Sequence, residues 1–161
     1  MEFLQSFALW LESTRLSDAM IYPWVWPTVE AFHFVGLALL LGTVLLLDLR
    51  MLGMAKQLPL GPLHQLVLPW AFAGFGISLT TGTLLVVGMA TAYVGNMAFY
   101  LKLLAILLAG LNAVVFYLTV YREVEALGPG GDAPALAKVI AGTSLFLWLS
   151  VITFGRFIAL Y

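Results

Sequence analysis

Four apolar segments, approximately 28–47, 66–89, 97–121 and 139–160, constrain this chain more than anything else in its sequence. Each is close to the ~20 residues that cross ~30 Å of hydrocarbon at 1.5 Å per residue. Breakers stand between them: Pro59, Gly61 and Pro62, then Gly95 and Asn96, then GPGGDAP at 128–134. Charged residues make up 9% of the chain and mean hydropathy is +1.05, against about 25% charged in soluble domains. The expected fold is therefore all-α: an integral membrane four-helix bundle, up-down-up-down, in one membrane domain over 1–161.

The remaining composition excludes whole classes of function. A net charge of −1 without a long basic run leaves no electrostatic footprint for nucleic acid. The absence of cysteine excludes disulfides, iron–sulfur clusters, thiolate zinc sites and cysteine nucleophiles. Phosphate-binding glycine loops, HExxH, Ser-His-Asp spacing and paired catalytic carboxylates are also missing. The N-terminus has neither a basic n-region nor a long apolar h-region, so it is not read as a cleaved signal peptide.

Residues 2–14 place Phe3, Leu4, Phe7, Ala8 and Leu11 on one helical face, the pattern of a short amphipathic helix on the membrane surface or against the bundle. A turn-like stretch follows with Pro23 and Pro27, where Tyr22, Trp24 and Trp26 mark the first membrane boundary. Arg50, Lys56, Arg122 and Lys138 flank one side of the spans, which the positive-inside rule makes cytoplasmic. An even number of spans then puts both termini on the periplasmic side. Small residues at four-residue spacing (Ala38 and Gly42; Gly74, Ser78 and Gly82; Ala105, Ala109 and Ala113) predict close helix contacts.

Within this apolar background the polar residues share a depth. His33 is five residues in from Thr28, Lys102 five from Met97 and Arg156 five from Tyr161, each ~8 Å below the outer boundary. Thr81, with Thr80 and Thr83, comes within about a turn of that level, and Glu30 lies one turn above His33 on the same face. An ionised group at the centre of a span costs ~2.5–3.5 kcal/mol, so the set suggests mutual compensation, with Glu30 pairing Lys102 or Arg156. The alternative is that both cations snorkel to the interface. His33 is the candidate metal ligand or proton carrier, with Glu30 as a candidate orienter of its ring.

The other polar residues read as structural. His64 precedes the second span as a loop residue, and ~21 Å of rise separates His33 from the far end of its own span, so the two imidazoles of one monomer cannot bind one iron, and a haem would need His33 alone, a second ligand such as Met89 or Met97, or a second subunit. Asn112 should bond a neighbouring helix. Asp48 and Arg50 read as cytoplasmic anchors, Asp48 pairing with Arg122 or Lys138, and Met51 and Met54 lie in a loop without the partners a copper relay needs.

The stretches PTVEAFHFVGLALLLGTVLLLDLRMLG, LPWAFAGFGISLTTG and NMAFYLKLLAILLAGLN resemble an uncharacterised family of small bacterial four-helix membrane proteins across nearly the whole chain. More distantly, His33, Lys102, Thr81 and Gly82 resemble positions of the copper-resistance CopD and HemJ-type protoporphyrinogen oxidase group. Asn112 stands where many HemJ-like chains carry a histidine. That resemblance implies a haem or related tetrapyrrole against His33, with Lys102 at a propionate or in proton transfer.

The leading expectation is thus a bacterial inner-membrane protein that holds haem b or a related tetrapyrrole near the periplasmic face for redox or electron-transfer work. His33 would be the metal ligand, with Glu30, Lys102, Arg156 and Thr81 around the cofactor. Two alternatives stand beside it: a cofactor-free accessory or assembly subunit of a membrane complex, or of a homo-oligomer, and a copper or proton transporter.

Overall fold

The computed structural model of the chain describes residues 2–160, and every regular element among them is a helix. The elements run α1 (Glu2–Glu12), α2 (Arg15–Met20), α3 (Val25–Met51), α4 (Leu60–Gly88), α5 (Ala90–Val94), α6 (Met97–Thr119), α7 (Tyr121–Glu125) and α8 (Ala135–Ile158). Of these, α3, α4, α6 and α8 are long and apolar enough to cross a membrane. This is a multi-pass membrane protein, and the large apolar side chains exposed along α3, α4, α6 and α8 face lipid.

The spanning helices pack as two antiparallel hairpins. In the first, His33 meets Thr81, Gly36 meets Ser78 and Leu40 meets Gly74, so numbers rise along α3 as they fall along α4. The two backbones touch: a Cβ added at Gly74 would lie 2.6 Å from the Leu40 nitrogen and 2.7 Å from the Gly36 carbonyl oxygen. In the second hairpin, Asn96 donates to the Ile158 carbonyl at 3.2 Å and Asn112 to that of Ile140 at 3.1 Å, so α6 and α8 also run in opposite directions. Asn112 bonds a neighbouring helix, as expected of a lone amide in lipid. The hairpins join chiefly through α3 and α8, whereas α4 and α6 scarcely touch.

The small-residue strips hold for α4 and for most of α6, where Gly74, Ser78, Ala105 and Ala109 are buried. In α3 the expected face is displaced. Ala38 and Gly42 are exposed, and Gly36 and Leu40 make the contact. On α8, Ala137, Ala141 and Ser144 form a buried strip that went unnoticed in the sequence.

Helix boundaries also move. The first span begins three residues earlier than 28, with Pro27 in its first turn, where a missing N–H costs nothing. The second begins six residues earlier than 66, with Pro59 as its N-cap and Pro62 in its first turn. The third ends at Thr119 instead of 121, and the fourth runs Ala135–Ile158 instead of 139–160. Tyr161, used to mark the outer end of the last span, lies outside the described residues.

The amphipathic α1 is present, with Phe3 and Phe7 exposed and Ala8 wholly buried. Glu12 ties it to the bundle, accepting from the Thr91 N–H at 2.8 Å and from the Thr91 hydroxyl at 2.7 Å. At the opposite end the connections are knitted around Arg50. It is 1% exposed and donates to the carbonyls of Leu58 (2.7 Å), Lys56 (3.1 Å) and Gly131 (3.2 Å). The expected surface anchor is thus a buried staple. Met51, expected in a loop, is buried at the end of α3.

Candidate functional site

The outer polar layer converges on His33. Its Nδ1 is 3.0 Å from Thr81 Oγ1, and that hydroxyl donates its own proton to the Ile77 carbonyl at 2.6 Å. With its one hydrogen used, Thr81 can only accept, so the neutral imidazole carries its proton on Nδ1. Nε2 then holds the free lone pair, and it has no hydrogen-bond partner among the described residues. Gly82 makes this fit possible, because a Cβ there would approach His33 Cε1 to 3.2 Å.

Lys102 reaches the same layer from α6. Its amine lies against Gly155 of α8, 3.3 Å from where a Cβ would stand, and is close enough to His33 to act on it electrostatically. All four spanning helices therefore contribute: His33, Thr81 with Gly82, Lys102, and Gly155 as the gap that admits the lysine.

Glu30 and Arg156 lie apart from this cluster. Both are exposed, and Arg156 sits two residues before the end of α8. Glu30 does not orient the His33 ring, whose Nδ1 bonds Thr81. It faces Tyr93 instead, where burial and then the Glu30 charge push the phenol above its usual range. The expected pairing of Glu30 with Lys102 or Arg156 is not formed. Among the described residues the ion pairs are Asp132 with Lys56 at 2.8 Å and with Lys138 at 2.7 Å.

A second polar cluster, which the sequence reading did not assemble, lies at the other end of the bundle. His64 belongs to α4 instead of the preceding loop, and it is 7% exposed with Nε2 2.9 Å from the Tyr117 hydroxyl. Phe116, Tyr117 and Tyr121 pack around its ring, and Tyr121 donates to Glu125 at 2.8 Å. That bond to a carboxylate raises the Tyr121 phenol above its usual value.

Asp48 is 4% exposed and pairs with neither Arg122 nor Lys138. Asp48 and His64 border a cavity of about 330 Å³ in the gap between α4 and α6. The signal in the sequence was the i, i+4 spacing of Tyr117 and Tyr121, together with a proline pair that starts a helix before His64.

Among the described residues no three His, Asp or Glu side chains meet in a set that could hold a metal ion. His33 offers a single imidazole donor, so a metal held there would have to bring further donors of its own. A bare copper or zinc ion would need several protein donors at once.

Comparison with known proteins gives one family. The model of a family of unknown function, DUF6644, matches residues 8–161. No curated protein and no solved structure matches the chain.

Proposed function

We propose that this chain, which belongs to the DUF6644 family, is a haem- or tetrapyrrole-binding protein of the bacterial inner membrane with a redox or electron-transfer role. The observation that carries the reading is the Thr81 hydroxyl, which holds His33 with Nδ1 protonated and leaves Nε2 as a free donor inside a spanning segment. An ionisable residue placed in a span is costly enough to be a functional-site hypothesis by default. A backing hydrogen bond to the remote nitrogen is the usual support of a histidine ligand. The distant likeness to the CopD and HemJ-type group at His33 and Lys102 points the same way.

Haem, when bound, would supply one-electron redox chemistry. His33 would hold the iron and Lys102 would neutralise a propionate, with Arg156 at the outer edge for the other. Lys56, Arg122 and Lys138 flank the opposite end, which supports a cytoplasmic α3–α4 connection and a site near the periplasmic face.

The test is the visible spectrum of detergent-purified protein, oxidised and then dithionite-reduced, after haem supplementation. Wild type is expected to show Soret and α bands that His33→Ala abolishes. Thr81→Val keeps the ligand but loses its backing bond, so its haem affinity is expected to fall about tenfold. A folded, colourless wild type that resists loading would sink the proposal.

A further inference from the structure

The cavity between α4 and α6 is a site in its own right, at the far end of the bundle from His33. Fifteen residues of α3 separate His33 from Asp48, a rise of ~22 Å. The cavity is lined from both hairpins where α4 and α6 hardly meet, a gap wide enough to offer a ligand entry sideways from lipid. Its volume of about 330 Å³ is at the lower end of the ~300–1,000 Å³ typical of small-molecule sites, room for one ring with a tail left outside. Phe72, Phe75, Phe116 and Trp148 give it aromatic walls suited to a flat ring.

Two polar atoms in this apolar chamber lack partners. Asp48 Oδ2 and His64 Nδ1 are both buried without a hydrogen bond, and both residues line the cavity. A buried polar group without a partner costs ~1–3 kcal/mol, and nearly all such groups in native proteins are satisfied. These two come from different helices and border one space, so they call for one rigid head with two polar groups.

A hydroxyl on the head can donate to or accept from the Asp48 carboxyl oxygen, so it serves that group in either protonation state. A second carboxylate residue, Glu125, also borders the space, which disfavours an anionic head such as a carboxylate or phosphate. We infer that the α4–α6 cavity binds a lipid-soluble hydroquinone, its hydroxyls on Asp48 and His64, its ring between the aromatic walls and its tail in the bilayer.

The test uses the full chain in detergent, titrated with decylubiquinol and followed by calorimetry and by quenching of tryptophan fluorescence, to which Trp148 in the cavity wall contributes. Saturable binding is expected for wild type. Asp48→Asn is expected to weaken it about tenfold, the loss of one hydrogen bond to the carboxyl group. A cavity-filling variant guards against misfolding. Gly110 borders the cavity, and a Cβ there meets nothing within 4 Å, so Gly110→Phe is expected to fold with a melting temperature no lower than wild type and to abolish binding.

Non-saturable partitioning that is equal in all three proteins would overturn the site. Equal affinity of wild type and Asp48→Asn would overturn the assignment of the head. Tighter binding of dodecylammonium than of decylubiquinol would replace the hydroquinone by a cationic amphiphile.

Discussion

Arg50 shows how an apolar chain keeps a buried cation that has no anion. Three backbone carbonyls from two connections accept its hydrogen bonds, so the residue closes the α3–α4 loop over the loop that precedes α8. A carbonyl left unpaired in a dry interior costs ~1–3 kcal/mol, and Arg50→Met would orphan those of Leu58 and Gly131 while keeping most of the buried volume; the Lys56 carbonyl keeps its bond from Gly130. The expected outcome is a loss of about 3 kcal/mol, read as a lower midpoint in chemical or thermal unfolding in detergent. Arg50→Lys is expected to recover only part of it, because an ammonium lacks the flat fork that reaches three acceptors at once. The same single-residue logic made His33 and Lys102 legible in the sequence, since each is an expensive group in a span. Their partners were legible in part: Thr81 shares their depth and Gly82 the resemblance, whereas Gly155, a glycine that carries no cost in a span, stands out nowhere.

At the scale of helices, what the sequence revealed was existence and length, and what it concealed was phase. Apolar residues surround α3 on every side, so periodicity cannot say which face meets α4. Only the small residues could, and Ala38 with Gly42 was as plausible a pair as Gly36 with its neighbours. The two glycines now separate by experiment. Gly74→Ala would drive a methyl against the backbone of α3, where neither partner atom can yield, and is expected to cost ~1–3 kcal/mol. Gly42→Ala meets nothing within 4 Å and removes a flexible residue from a helix, so it is expected to stabilise by about 0.5–1 kcal/mol. Paired unfolding curves of the two variants read opposite signs if the contact face is as described. The start of α4 was misread for a related reason: Pro59 and Pro62 break a helix from inside but open one from its first turn, and that choice hid His64 among loop residues.

For the whole molecule, the two hairpins need something besides the α3–α8 contact to stay in register at the end where α4 and α6 stand apart. Asp132 supplies it. From the loop before α8 it bonds Lys56 of the α3–α4 connection at 2.8 Å and Lys138 of α8 at 2.7 Å, and Gly130 donates to the Lys56 carbonyl at 2.7 Å beside it. The hydrogen bonds from Lys138 and Lys56 lower the Asp132 carboxyl from 3.8 to about 2. A carboxylate held low in the folded state binds fewer protons there than in the unfolded chain. Its stabilisation is therefore complete above about 3.8 and disappears as pH falls through about 2. Because the three side chains are substantially exposed, the effect is modest and weakens with salt. Wild type is expected to unfold at a higher temperature than Asp132→Asn at neutral pH, with the gap closing between about pH 4 and pH 2 and shrinking in 1 M salt. A gap that persists at pH 2 would mean that the loop is held by its backbone bonds and by Arg50 alone, and that the pair of lysines contributes nothing to joining the hairpins.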